Sequence, residues 1–372
     1  MAKLRIRKRV RWGRWILAVF VLAIAGFALT ISHTSACPSP LKVDGENLMQ
    51  AIHYQCYGPS SVLRLELAPR PNVKEHTVLV KVHAASVNPL DWHFMRGEPY
   101  IMRMQAGIGA PKNARLGVDF SGTVAEVGSK VTRFKPGDEV FGGARGSFAE
   151  FVAISDDDAI TFKPANVSHE QAAAIPIAAV TALQALRNEG HLAAGEKVLI
   201  NGASGGVGTY AVQIAKSMGA EVTGVCSTRN VSLVASLGAD RVLDYTSVDF
   251  TQDAARYDLV IDTVGNRDLR DIQRVLTDGG IAVIVGGANR DPWLGALSGP
   301  LKITTWGRFA DRKFKFFIAS LDAKDLAWLA DLMANGKMKS VIDRTYPLAQ
   351  VPEAVAYVEE GHARGKVVID VQ

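Results

Sequence analysis

A chain of 372 residues, 48% hydrophobic and 21% charged, has room for two domains and a large core, and its composition is that of an ordinary globular protein. The net charge of +5 misleads, because Lys3, Arg5, Arg7, Lys8, Arg9, Arg11 and Arg14 crowd seven positive charges into the basic tail at 1–14 and leave the rest at −2, with no nucleic-acid footprint. Three cysteines (Cys37, Cys56, Cys226) are odd in number and far apart, which points to neither a disulfide framework nor a metal cluster.

After the basic tail, residues 15–31 carry no charge. As a helix they span about 25 Å, slightly short of the ~30 Å hydrocarbon core, and the polar residues at 32–35 could extend them. Trp12 and Trp15 suit an interface, so 15–36 is expected to be a single-pass N-terminal membrane anchor. The alternative is a secretory signal cut after Ala36, which makes the protein secreted or periplasmic. Residues 37–47, opening Cys-Pro-Ser-Pro, read as a linker.

A β-rich domain is expected over 48–172, with strands near 49–54, 63–67, 77–84, 122–127, 139–141 and 148–154 separated by Gly/Pro turns such as Lys135-Pro136-Gly137-Asp138. Helical periodicity starts near 168–188, and strand–helix alternation fills a second domain at 173–325. The last stretch, 326–372, returns to strand, helix, strand and is expected to rejoin the first domain. The fold class is α/β: a β-rich domain plus a doubly wound parallel sheet, preceded by a hydrophobic helix.

The stretch at 198–229 organises this plan. Val198, Leu199 and Ile200 form an apolar run suited to burial on both faces of a parallel sheet. Gly202, Gly205, Gly206 and Gly208 follow, with Ser204 and Val207 between them, and a helical apolar pattern comes next. Glycines let the backbone turn tightly and approach a ligand, and the following helix offers free N–H groups and a positive dipole end to a pyrophosphate. At the end of the next strand an NAD site usually carries Asp or Glu. Here stand Cys226, Ser227, Thr228, Arg229 and Asn230; no carboxylate is present to repel a 2′-phosphate, and Arg229 can pair with one, so NADPH is expected over NADH. Gly265 and Val285-Gly286-Gly287 close later strands, where glycines allow approach to the nicotinamide. A conflict remains: the positive-inside rule places a tethered body outside the cytoplasm, where NADPH is scarce.

These residues together resemble the medium-chain dehydrogenase/reductase superfamily, and within it the zinc-free quinone oxidoreductases, including the mitochondrial reticulon-interacting type. The resemblance covers roughly 49–371 and rests on ASVNPLDWHFMRG (85–97), LGVDFSGTVAEVG (116–128), FKPGDEVFG (134–142), GSFAEFV (146–152), NGASGGVG (201–208), CSTRN (226–230), GADRVLDY (238–245) and GKVVIDV (365–371). It implies a GroES-like catalytic domain around a Rossmann domain, and often a homodimer. The positions that hold Cys and His zinc ligands in the alcohol dehydrogenases hold Asn88 and Val118 here, so no metal is expected. Without a Lewis acid, a quinone or α,β-unsaturated carbonyl suits hydride addition better than a simple ketone, because the charge spreads into a hydroquinone or enolate. The resemblance also places Asn88 and Asp91 in the substrate cleft, His93 where it could orient a carbonyl or relay a proton, Thr181 near the nicotinamide, Tyr245 and Arg229 near the 2′-phosphate, and Lys366 on the cofactor side. The expected function is zinc-independent, NADPH-dependent hydride transfer to a quinone or enone. Alternatives are an enoyl/alkenal reductase or alcohol dehydrogenase-like enzyme, and a non-catalytic, membrane-tethered NADPH-binding protein.

Overall fold

The computed structural model describes residues 2–39, 43–287, 291–293, 295, 298–305 and 312–371. Helix α1 (Ala2–Ser32) leads into β1 (Leu48–His53) and β2 (Arg64–Pro69), an antiparallel pair. Then come β3 (Thr77–Val87), α2 (Pro89–Arg96), α3 (Arg103–Ala106), β4 (Asp119–Val127), β5 (Glu139–Gly143), β6 (Phe151–Ser155) and β7 (Ile160–Phe162). Short helices α4 (His169–Ala173) and α5 (Pro176–Gln184) lead to the second sheet. That region runs β8 (Lys197–Asn201), α6 (Gly206–Ser217), β9 (Glu221–Cys226), α7 (Val231–Ser236), β10 (Arg241–Asp244), β11 (Tyr257–Asp262), α8 (Leu269–Arg274), β12 (Leu276–Ile284), α9 (Ser298–Thr305) and β13 (Lys313–Phe316). The chain ends with α10 (Ala323–Ala334), β14 (Ile342–Pro347), α11 (Val351–Glu360) and β15 (Lys366–Asp370).

The second sheet has the order β10-β9-β8-β11-β12-β13, with every pairing parallel. This is a doubly wound sheet whose strand order reverses between β8 and β11, the place where such sheets open a crevice at their carboxyl ends. Val198, Leu199 and Ile200 of β8 are fully buried, as a central parallel strand requires. Each contributes roughly 1.5–3 kcal/mol of burial. The α10 residues Leu326, Leu329, Leu332 and Met333 join the same core cluster as β8 and α6.

The first sheet runs β14-β15-β3-β4-β5-β7, with β6 also on β3. The C-terminal strand β15 lies antiparallel to β3, pairing Val367 with Val87 and Asp370 with Ala84. The chain end is thereby stitched into the β-rich domain, beside the residues that precede α2.

Two expectations are corrected here. Residues 15–31 do lie in α1, but among the described residues no helix is long and apolar enough to cross a membrane. The polar residues needed to lengthen a span are committed elsewhere: the Arg103 Nη1 donates to the carbonyls of Ile31, Ser32 and His33 and to Thr34 Oγ1. The expected single-pass anchor, and the membrane as a partner, are therefore set aside. The cysteines also differ from expectation. Cys37 and Cys56 form a disulfide, leaving only Cys226 free and buried in β9. A spacing of 19 residues gave no sign of this, because the pair meets only once the segment after α1 folds back beside the end of β1.

Candidate active site

The glycine turn after β8 divides into two kinds of position. Gly202 has φ +85, and a Cβ there would collide with the Thr263 hydroxyl. A Cβ on Gly208 would collide with the Gly202 carbonyl. These two glycines are needed for the fold. Gly205 and Gly206 are different, since a Cβ on either would meet nothing nearer than 3.4 Å. Gly205 is the N-cap of α6 in extended conformation, so the N–H groups of a twelve-residue helix begin above an open cradle. A dinucleotide pyrophosphate fits such a cradle, where helix N–H groups and dipole meet negative charge.

The end of β15 closes on this cradle. Gly365 N donates to Ser204 O at 2.9 Å, and Gly365 bridges to Gly205. At the far end of the groove, Arg229 Nη2 donates to His362 O at 3.1 Å. Asn230 is buried and donates from Nδ2 to Ser204 Oγ and Ser227 Oγ, tying the glycine turn to the end of β9. Tyr245 is half-exposed beside that end, its N–H on Cys226 O.

An acidic residue from the neighbouring strand also reaches this end. Parallel pairing sets Asp244 of β10 opposite Cys226, and Asp244 Oδ2 accepts the Thr228 hydroxyl at 2.6 Å. The absence of a carboxylate inferred from the sequence is thus corrected: the acid arrives from the neighbouring strand. The only signal was the acid ending the run RVLD, which becomes informative once β9 and β10 are paired.

Between β8 and β11, Asp262 Oδ1 accepts from Asn201 Nδ2, Val264 N and Gly265 N, and so fixes the sheet end. Gly265 has φ +68. Val285 N donates to Asp262 O, a Cβ on Gly286 would collide with Thr263 O, and Gly287 is exposed. Val207 packs against the sheet core. Thr181 gives its hydroxyl to Ile177 O on its own helix at 2.6 Å.

The residues expected in the cleft form a buried polar cluster in the β-rich domain that reaches the start of α5. Pro89 opens α2 with Asn88 as N-cap, and Asp91 Oδ2 accepts the Asn88 N–H at 2.8 Å while Oδ1 accepts the Gly117 N–H at 3.1 Å. Burial pushes the Asp91 carboxyl up to about 7 against those two bonds. Asp119 of β4 is fully buried and collects Ser86 Oγ at 2.8 Å, Asn88 Nδ2 at 2.9 Å and the Ile177 N–H at 3.0 Å. Ile177 lies in the first turn of α5, so the carboxylate of one domain satisfies a helix N-terminus leading into the other. Lys366, 3% exposed, completes the cluster, donating to Asn88 Oδ1 at 2.6 Å and lying 3.5 Å from Asp119 Oδ2. Burial pulls its ammonium down and the Asp119 and Asp91 charges oppose this. Lys366 is expected on the cofactor side; its stem does pass 3.4 Å from where a Gly206 Cβ would be, but its ammonium is held by Asn88 Oδ1, the Val87 carbonyl and Asp119.

His93 donates from Nδ1 to Glu98 O at 2.8 Å, because a carbonyl can only accept, and it stacks on Trp92 at 3.6 Å. Burial lowers its basicity, so the ring is neutral near pH 7 and Nε2 presents a lone pair. It can take a proton there, and can donate to a substrate oxygen only after doing so.

The residues in the alcohol dehydrogenase zinc positions do not fit zinc. Asn88 Oδ1 already faces the Lys366 ammonium, and Val118 offers no donor atom. Among the described residues the one cluster with metal-ligand geometry is His76, Asp156 and Asp157, largely on the surface and made of none of the cleft residues.

A glycine turn suited to a dinucleotide on a doubly wound sheet, met by a β-rich domain with a buried polar cluster, is the plan of a two-domain nicotinamide-dependent oxidoreductase. Comparison with known proteins agrees. Residues 74–164 match the alcohol dehydrogenase GroES-like domain, and residues 237–369 match a zinc-binding dehydrogenase domain. The mitochondrial NAD(P)H oxidoreductase RTN4IP1 of Mus musculus is 36% identical over 85% of this chain and 87% of its own length. The chloroplast envelope quinone oxidoreductase homolog of Arabidopsis thaliana is 34% identical over 87% of this chain and 98% of its own. The solved quinone oxidoreductase of Coxiella burnetii is 32% identical, covers 87% of this chain and all of its own, and superposes with a TM-score of 0.77. The chain belongs to the medium-chain dehydrogenase/reductase superfamily, in its quinone oxidoreductase-like branch.

Proposed function

We propose that this chain is a metal-free NADPH-dependent reductase that delivers hydride to a quinone or an α,β-unsaturated carbonyl. The observation that carries the reading is the continuity of the β15 entry with both sites: Gly365 lies on the glycine turn and the Lys366 ammonium lies on Asn88. A 2-methylene-furan-3-one reductase of Solanum lycopersicum, 32% identical over 91% of this chain, is named for an enone.

In this reading the N–H groups at Gly205 and Gly206 hold the pyrophosphate. Ser227, Thr228, Asn230 and Tyr245 surround the adenosine ribose, and Arg229 pairs with the 2′-phosphate. Thr181, Gly265, Val285, Gly286 and Gly287 border the nicotinamide, which supplies the hydride when bound. Asn88 and Asp91 shape the cleft. The buried Lys366 ammonium stabilises the negative charge that develops on the substrate oxygen, acting through the Asn88 amide. His93, charged by a proton from solvent at Nε2, returns that proton to the reduced substrate. The resemblance is the basis for expecting a homodimer, and the outermost strand β13 offers an edge for a second copy.

The test is an acceptor panel with NADPH: quinones, 2-alkenals and saturated ketones. Conjugated acceptors are expected to be reduced at least about tenfold faster than saturated ketones, which lack the conjugation that spreads the charge. Equal rates on saturated ketones would overturn the substrate assignment.

A further inference from the structure

The adenosine end of the groove holds two groups of opposite preference. Arg229 is exposed, and its bond to His362 O uses one of five N–H donors, leaving others for a phosphate. Thr228 lies between Arg229 and Asp244. Its hydroxyl proton goes to Asp244 Oδ2 at 2.6 Å, and Asp244 Oδ1 is held in place by Thr246 N at 3.0 Å and Thr246 Oγ1 at 2.8 Å. Those bonds hold the Asp244 carboxyl below its ordinary range, so it is charged at neutral pH.

A hydroxyl has one proton. With that proton on Asp244, Thr228 presents only lone pairs to a ligand. A ribose 2′-hydroxyl can donate to those lone pairs, whereas a 2′-phosphate dianion has no proton to give and also faces the carboxylate behind. We infer that Asp244 is a specificity-determining residue which, through Thr228, favours the 2′-hydroxyl and keeps NADH a usable cofactor against the pull of Arg229. This rests on the dinucleotide reading above and sharpens it: Arg229 favours NADPH, and Asp244 narrows the margin over NADH.

Binding of adenosine 2′,5′-bisphosphate and of 5′-AMP to the full chain, measured by calorimetry, isolates the discriminating group. In Asp244→Asn the bisphosphate should tighten by about five- to tenfold, the scale of removing one partly screened like charge, while 5′-AMP changes by less than about twofold. In Arg229→Ala the bisphosphate should weaken by a similar factor. Thr228→Val, which removes the hydroxyl and keeps the charge, should weaken 5′-AMP. An unchanged ratio in Asp244→Asn, with 5′-AMP still bound, would overturn the role of Asp244 and leave the dinucleotide site standing. Failure of the unaltered chain to bind either nucleotide would overturn both.

Discussion

The cofactor cradle and the substrate cleft are neighbours built by different means. The cradle is made of backbone: four glycines, a helix N-terminus and strand ends, all within one strand–turn–helix–strand unit. The cleft is made of buried polar and charged side chains: Asn88, Asp91, Asp119 and Lys366 come from the start of α2, β4 and the last strand, and meet only when β15 pairs into the β-rich sheet. Breaking the first should cost ligand binding, or folding at particular glycines. Breaking the second should cost stability and turnover together.

The largest effect is expected at Lys366. Lys366→Met leaves the fully buried Asp119 without its counter-charge and should destabilise the chain by about 3–5 kcal/mol in urea unfolding. The double variant with Asp119→Asn removes both charges and should recover part of that loss. If Lys366→Met is neutral, the cluster is not a charge-balanced unit.

Next come the glycines. Gly208→Ala drives a methyl into the Gly202 carbonyl and should cost about 1–3 kcal/mol. Gly206→Ala meets nothing closer than 3.4 Å, so its stability should stay within about 0.5 kcal/mol while NADPH binding weakens at least about tenfold. Equal losses of stability would erase the distinction between fold glycines and cradle glycines.

A smaller effect is a pH dependence carried by Asp91. Its folded pKa is raised, so its contribution is fully present below the ordinary value near 4 and is lost as pH rises through about 7. The unfolding midpoint should therefore fall over that window, and Asp91→Asn should flatten it. A wild-type midpoint that instead rises with pH there would contradict the assignment. The smallest effect is at His93: His93→Phe should lower turnover by about tenfold without changing NADPH affinity, and unchanged turnover would remove it from the proton path.

The same contrast decides what could be read from the sequence. The cradle was legible because strand, glycines, helix and second strand lie within about thirty residues and obey local rules. The strand candidates of the β-rich domain overlap β1 to β6, with β3 and β4 longer than their apolar patterns suggested, β6 starting three residues later than expected, and the short β7 not foreseen. What escaped the reading depends on contacts across the chain. Asp244 reaches Thr228 only through β9–β10 pairing, and Lys366 reaches Asn88 only through β15–β3 pairing. Cys37 meets Cys56 only after a fold-back. The N-terminal segment misled in another way: a locally apolar run looked like a span, while its C-terminal end is tied to Arg103, which lies some seventy residues away.

The most direct measurement is NADPH oxidation by the purified chain with a soluble quinone, with and without a strong chelator. The account predicts turnover that is unaffected by the chelator and, at sub-saturating NADPH, lowered about tenfold or more by Gly206→Ala. Tight NADPH binding with no turnover on any quinone, or activity lost to the chelator, would contradict it.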